Sequence, residues 1–146
     1  MYLAQFNIAR LLAPIDDPAT ADFAMNLDRI NGLAEAAPGF VWRLAAEDEP
    51  STHPYADKTI VVTMSVWESR QAFFDFTYRS VHLDFLRRRG EWFEHMEAPA
   101  SVMWWIPEGH IPTVEEGKER LELLRVRGAT PEAFTFREHF EPEPAR

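Results

Sequence analysis

The chain contains no cysteine. It therefore has no disulfide framework, no thiolate metal ligand and no nucleophilic thiol, which excludes Cys-rich zinc modules and cysteine-based catalysis. Glycine is scarce, at six of 146 residues, so a collagen-like or glycine-rich fibrous design is excluded as well. Positive charge is in deficit: 15 Lys and Arg stand against 24 Asp and Glu, for a formal charge of −9. Binding to nucleic-acid phosphate draws on many unopposed basic contacts, so no nucleic-acid partner is expected, even with Arg87, Arg88 and Arg89 in a row. No apolar run approaches the ~20 residues of a membrane-spanning helix, and no membrane partner is expected. The N-terminus lacks the charged start and apolar core of a signal peptide, which points to a cytoplasmic location.

What is present is a composition for a packed core, with 46% hydrophobic and 13% aromatic residues. The length suits one domain, expected over residues 1–140, with an acidic, proline-bearing tail over 141–146 that frays. Alternation from Tyr2 to Leu12 predicts a first strand, broken by Pro14 and Asp16-Asp17-Pro18. Asp17 is a good N-cap, and Phe23, Leu27, Ile30, Ala34 and Ala37 recur at helical spacing until Pro38-Gly39. Residues 39–45 predict a short strand, 47–57 a loop, and 58–67 a third strand whose Ile60-Val61-Val62-Thr63 run is wholly β-branched. Ser69 caps a helix toward Tyr78, and a helical pattern resumes from Ser80 to about His95. A fourth strand is expected over 100–106, then a loop with Gly109-His110. Thr113 and Glu116 form a capping box for a last helix ending near Gly128.

That order contains the ferredoxin-like split βαβ arrangement: an α+β fold with a four-stranded antiparallel sheet and an added C-terminal helix. Strand period divides the sheet residues into two faces. One face carries Ala4, Phe6, Ile8, Ile60, Val62, Met64, Val66, Val102, Trp104 and Ile106, and is expected to meet the helices. The other carries Leu3, Gln5, Asn7, Ala9, Val61, Thr63, Ser65, Trp67, Ser101, Met103 and Trp105, and is expected to be left open by them. Tryptophans on an open face call for a cover such as another subunit or a ligand, and a homodimer closing the sheets together is the expected one; the competing role is packing beneath the C-terminal helix with Phe134 and Phe136.

In the helix after Ser80, Val81, His82, Phe85, Arg89, Trp92, Phe93 and Met96 fall on one arc, and Tyr78 joins them if the helix is continuous. His82 and Arg89 are polar groups inside an apolar stripe, which makes them site candidates; the alternative is a satisfied core histidine and an arginine paired with Glu68 or Asp84. Arg87 and Arg88 are expected to be solvated. His110, on a loop able to overhang a pocket, is a further candidate, as is Trp42, with core packing the competing role. His53, His95 and His139 form no cluster with metal-ligand spacing, so no metal site is expected.

Ser65-Val66-Trp67-Glu68-Ser69, Ala72-Phe73, Phe76, Ser80, His82 and Phe85 resemble the strand-to-helix signature of the antibiotic biosynthesis monooxygenase superfamily. Asp16-Asp17-Pro18, the segment 26–31, Pro38-Gly39-Phe40-Val41-Trp42-Arg43, Trp104-Trp105-Ile106-Pro107, Gly109-His110 and the segment 131–136 resemble an uncharacterised bacterial branch of it, a domain family of unknown function. The resemblance implies the dimeric α+β barrel fold and a homodimer. It also implies a small-molecule-binding protein of the cofactor-free monooxygenase kind, acting on an aromatic or quinol-type substrate. In that reading His82, Tyr78, Arg89 and Asn7 do the chemistry, and Trp67, Trp92, Trp105, Trp42 and His110 line the site for a small hydrophobic or aromatic ligand. Two alternatives stay open: a haem-binding protein with His82 or His110 as axial ligand and Arg89 on a propionate, and a non-catalytic ligand-binding or interaction domain.

Overall fold

The computed structural model describes residues 1–13, 17–44, 60–80, 82–95, 98–138 and 140–142. The loop expected over 47–57, Val81 and Met96 of the expected arc, and the last four residues of the tail lie outside them.

Four strands, β1 (Tyr2–Arg10), β2 (Phe40–Arg43), β3 (Ile60–Trp67) and β4 (Ser101–Ile106), form one sheet in the order β2-β3-β1-β4. Every neighbouring pair is antiparallel. Asp17 caps a short 3-10 turn at Pro18, accepting from Ala19 N at 2.8 Å. The helix α1 (Ala21–Ala36) continues from that turn and returns the chain toward β2. After β3, Ser69 Oγ accepts from Ala72 N at 3.1 Å and starts α2 (Arg70–Arg79). The short α3 (His82–Arg87) follows, and α4 (Val114–Arg127) comes after β4. Strand, helix, strand, strand, helix, strand is the ferredoxin-like α+β arrangement expected from the sequence, with α4 added.

Register confirms the division of the sheet into two faces. Gln5 lies opposite Ser65 and Met103, Leu3 opposite Trp67 and Trp105, and Asn7 opposite Thr63 and Ser101. The face expected to stay open is instead covered by α1 and α2, and the Phe6 face meets α4. Trp67, placed on the open side, is 1% exposed and packs with Ala34 of α1 and with Ala72, Phe73 and Phe76 of α2. The reason is local. Trp67 ends β3 two residues before the Ser69 cap, so α2 folds straight back over the face to which Trp67 points. Gly39, at φ 82°, allows this close return, because a Cβ there would stand 2.5 Å from Ala72 Cβ.

The opposite face, with Phe6, Met64, Val66, Val102 and Trp104, is met by Val114, Leu121 and Leu124 of α4. Gly117 of α4 lies directly against the Phe6 ring, and any side chain there would collide with it. Trp105 is covered by the chain's own C-terminal segment: Met103 pairs with Phe134, and Trp105 Nε1 donates to Phe140 O at 2.8 Å. The tryptophans therefore find their cover within the chain: Trp105 under the C-terminal segment with Phe134, in line with one expected cover, and Trp67 under α1 and α2, which neither expected cover included.

The long helix expected after Ser80 is also corrected. Helix α3 stops at Arg87 and a 3-10 turn spans Arg89–Glu91. Beyond it the backbone joins the sheet: Leu12 N donates to Trp92 O at 2.7 Å, and Phe93 bridges to Leu11. A strand-like end and a helical stripe cannot both hold, and the sheet contact prevails.

Candidate functional site

The helix-covered face of the sheet has a polar centre. Gln5 and Ser65, paired across β1 and β3, are 7% and 8% exposed. Gln5 Nε2 donates to Ser65 Oγ at 2.8 Å, and Trp67 Nε1 donates to the same oxygen at 2.9 Å. Ser65 and Trp67 are two residues apart on one strand, so strand period puts both side chains on one face. Toward the Ala9 end the cover thins: Asn7 is half-buried, while its partners Thr63 and Ser101 are exposed. Asn7 makes no side-chain hydrogen bond among the described residues.

From this centre an aromatic path leads to His82. The Trp67 and Phe76 rings stack at 5.3 Å and 25°, and the Phe76 and His82 rings lie 5.1 Å apart. The half-buried His82 is fixed at both ends. Its backbone N–H donates to Ser80 Oγ at 3.2 Å, and Nδ1 lies 3.1 Å from Thr77 O. A carbonyl only accepts, so Nδ1 carries a proton and the neutral ring presents Nε2 as an acceptor with no partner among the described residues. Burial pushes the imidazole below its ordinary value of 6.5, and the Thr77 hydrogen bond opposes that shift only in part. His82 is consequently neutral near pH 7.

The structure distributes the other sequence candidates. Tyr78 is exposed on the outer side of α2, against Phe74 and Phe136, because the helix ends at Arg79 before it can join His82. Arg89 is exposed on the 3-10 turn, outside any apolar stripe. Its neighbour Arg88, expected to be solvated, makes the contacts instead. It reaches Asp22 at 2.8 Å and Glu91 at 2.9 Å, and covers the Trp92 ring at 4.7 Å. Trp92 is buried against Phe23 at the Leu11 end of β1. Trp105 shares the Trp67 face at the β4 edge, and Trp42 packs with the α4-side core. Asn7, Trp67 and His82 remain on the helix-covered side. Gln5, Ser65 and Thr77 are the polar groups that the sequence reading did not single out. Their signal was present in the shared strand face of Gln5, Ser65 and Trp67, and in the Thr77 position five residues before His82.

His110 lies on the α4 side of the sheet. Its Nε2 is 2.8 Å from Glu116 Oε1, and Glu116 Oε2 accepts from Trp104 Nε1 at 2.9 Å. Thr113 caps α4 by accepting from Glu116 N at 3.1 Å, which leaves the Glu116 carboxylate to join the loop histidine to a fully buried indole. Replacing Glu116 with alanine is expected to cost about 1–3 kcal/mol, because the Trp104 N–H then stays buried without an acceptor. Urea unfolding reads that loss, and an unchanged midpoint would contradict the assignment.

Of the residues named for the haem alternative, His110 has spent Nε2 on Glu116 and Arg89 stands exposed on the turn beyond α3, which leaves His82 Nε2 as its axial-ligand candidate. Among the described residues no group of three or more His, Cys, Asp or Glu could hold a metal ion, and no helix is long and apolar enough to cross a membrane.

The sequence profile of a domain of unknown function, DUF3291, matches residues 2–146. The chain belongs to the DUF3291 family. No curated protein matches this DUF3291 chain in sequence. Among solved structures it is similar to SnoaB, a cofactor-independent oxygenase from Streptomyces nogalater, with 13% identity and a TM-score of 0.53 over 73% of this chain and 94% of that one. A second similarity is to a monooxygenase from the gene ActVA-Orf6 of Streptomyces coelicolor, solved in complex with the ligand nanaomycin D. There the identity is 21% over 77% of this chain and 92% of that one, and the TM-score of 0.44 is too low to carry an argument. The likeness to SnoaB extends the resemblance seen in the sequence to the fold. Fold alone does not assign chemistry.

Proposed function

We propose that this DUF3291 chain is a small-molecule enzyme of the cofactor-free monooxygenase kind, acting on an aromatic or quinol-type substrate with His82 as its base. The observation that carries this reading is the state of His82: neutral, with Nδ1–H tied to Thr77 O and Nε2 bare, beside the Phe76 and Trp67 rings. A planar substrate stacks on the aromatic path, and Nε2 takes its acidic proton. The amide of Asn7, unspent on the protein, stabilises the charge that develops on the substrate oxygen. Helices α2 and α3 run back over the sheet from Phe76, stacked on Trp67, to the turn before Trp92, which pairs with Leu12. In the chain His82 falls between these two anchors.

The ionised substrate supplies the electrons to dioxygen. For an activated ring CH2, one oxygen atom enters as the new carbonyl and the other leaves as water with the two hydrogens removed, so atoms and electrons balance without a further reductant. The homodimer implied by the sequence resemblance belongs to this reading. It forms around sheets already covered by their own helices, not by joining the Trp67 faces.

Purified protein is to be tested in an oxygen electrode against a panel of electron-rich phenols, quinols and anthrones, with products followed by mass spectrometry. Enzyme-dependent oxygen uptake with one added oxygen atom per product supports the proposal. Failure to consume oxygen or transform any member of the panel overturns it.

A further inference from the structure

We infer that Gln5 and Ser65 form a neutral donor pair that anchors an aromatic ketone or quinol ligand through its carbonyl or phenolic oxygen. The inference rests on the reading of the site given above and adds the groups by which the ligand is recognised. The Trp67 indole cannot play that part. Its only N–H is donated to Ser65 Oγ, so Trp67 offers a ligand its ring face alone.

Among the described residues the donor count of the centre does not close. With Gln5 Nε2 donating to Ser65, the serine O–H and the second amide N–H are unspent. With the amide turned, Ser65 donates to Oε1 and both amide N–H groups are unspent. In either orientation two donors and at least one acceptor remain on two side chains that are more than nine-tenths buried. The apolar neighbours Leu3 and Met103 show that this position in the core accepts hydrophobic side chains, so a half-satisfied amide there costs stability unless a ligand completes it. Nor does charge compete with it. The strand residues of that face, from Leu3 to Ala9, Val61 to Trp67 and Ser101 to Trp105, include no Asp, Glu, Lys or Arg. A neutral oxygen meets its partners there; the cation of the covering layer, the half-buried Arg70 of α2, is held over Phe136 and donates to Phe136 O at 2.7 Å. The exposed Thr63 and Ser101 with half-buried Asn7 provide the approach.

The test compares two probes of one shape, naphthoquinone and naphthalene, by anaerobic equilibrium dialysis, each affinity corrected for its water–octanol partition. Wild-type protein is expected to favour naphthoquinone by about tenfold or more, and Gln5→Met, similar in length and without donors, to reduce that preference to about twofold or less. An equal preference in both proteins, or binding of neither probe, overturns the inference. Should Gln5→Met fail to fold, the infrared carbonyl stretch of naphthoquinone bound to wild type decides: a shift to lower frequency supports the anchor, and an unshifted band overturns it. Oxygen uptake with no carbonyl preference removes the anchor alone, and carbonyl preference with no oxygen uptake removes the reaction alone.

Discussion

Replacing His82 with glutamine is expected to lower substrate-dependent oxygen uptake by about 10²- to 10⁴-fold, the span associated with loss of a general base. Glutamine can still donate to Thr77 O, so the turn between α2 and α3 keeps its tie, while the titratable lone pair at Nε2 disappears. The wild-type rate should rise with pH through a value below 6.5 and then level, since burial holds the imidazole below its ordinary range. In His82→Gln that limb of the profile should vanish. A variant with near-normal rates and the same profile would show that the proton goes elsewhere.

The second large effect concerns stability. Trp67→Ala is expected to cost about 3–5 kcal/mol in urea unfolding, the usual range for deleting a buried aromatic side chain. Trp67 is 1% exposed and meets three rings: Phe40 at 5.5 Å, Phe73 at 5.6 Å and Phe76 at 5.3 Å. Its loss opens a cavity between α1, α2 and the sheet, and also removes the donor held by Ser65. Because the His82 ring lies against Phe76, the same variant should loosen His82 and weaken any aromatic ligand. A loss below about 1 kcal/mol would mean that the rings collapse onto one another and that Trp67 is not the keystone of this layer.

Much of the fold was legible because the local signals were unambiguous. The Ile60-Val61-Val62-Thr63 run, the Ser69 and Thr113 caps and the Pro38-Gly39 stop all do what their chemistry dictates. The two-face division of β1, β3 and β4 also followed from period alone. Which face meets which helix did not, since both are apolar enough to be buried and the choice is tertiary. It was settled by the short Trp67-to-Ser69 connection and by α4 taking the Phe6 face.

The site was legible in part. Period placed His82 on the inner side of its helix, but it extended that helix through Arg89 and Trp92, where the Leu12 and Leu11 contacts with Trp92 and Phe93 end it. Arg88 and not Arg89 was drawn into contacts, because Asp22 of α1 comes within reach only in the folded chain. The Gln5–Ser65 pair depends on strand register, which a single sequence leaves open.

The state of His82 also links to stability. In the unfolded chain the imidazole titrates near 6.5, and in the folded chain lower, so the unfolded state binds more protons across that window. The stability owed to neutral His82 is therefore complete above about pH 6.5 and is lost as pH falls through the folded value. The most direct test is the nitrogen-15 NMR titration of the His82 ring, with His82→Gln to assign its signals. The account predicts a neutral ring protonated at Nδ1, titrating below 6.5, whose Nε2 resonance moves when a hydroquinone probe is added. A ring protonated at Nε2, titrating at or above 6.5 and unmoved by the probe, would contradict it.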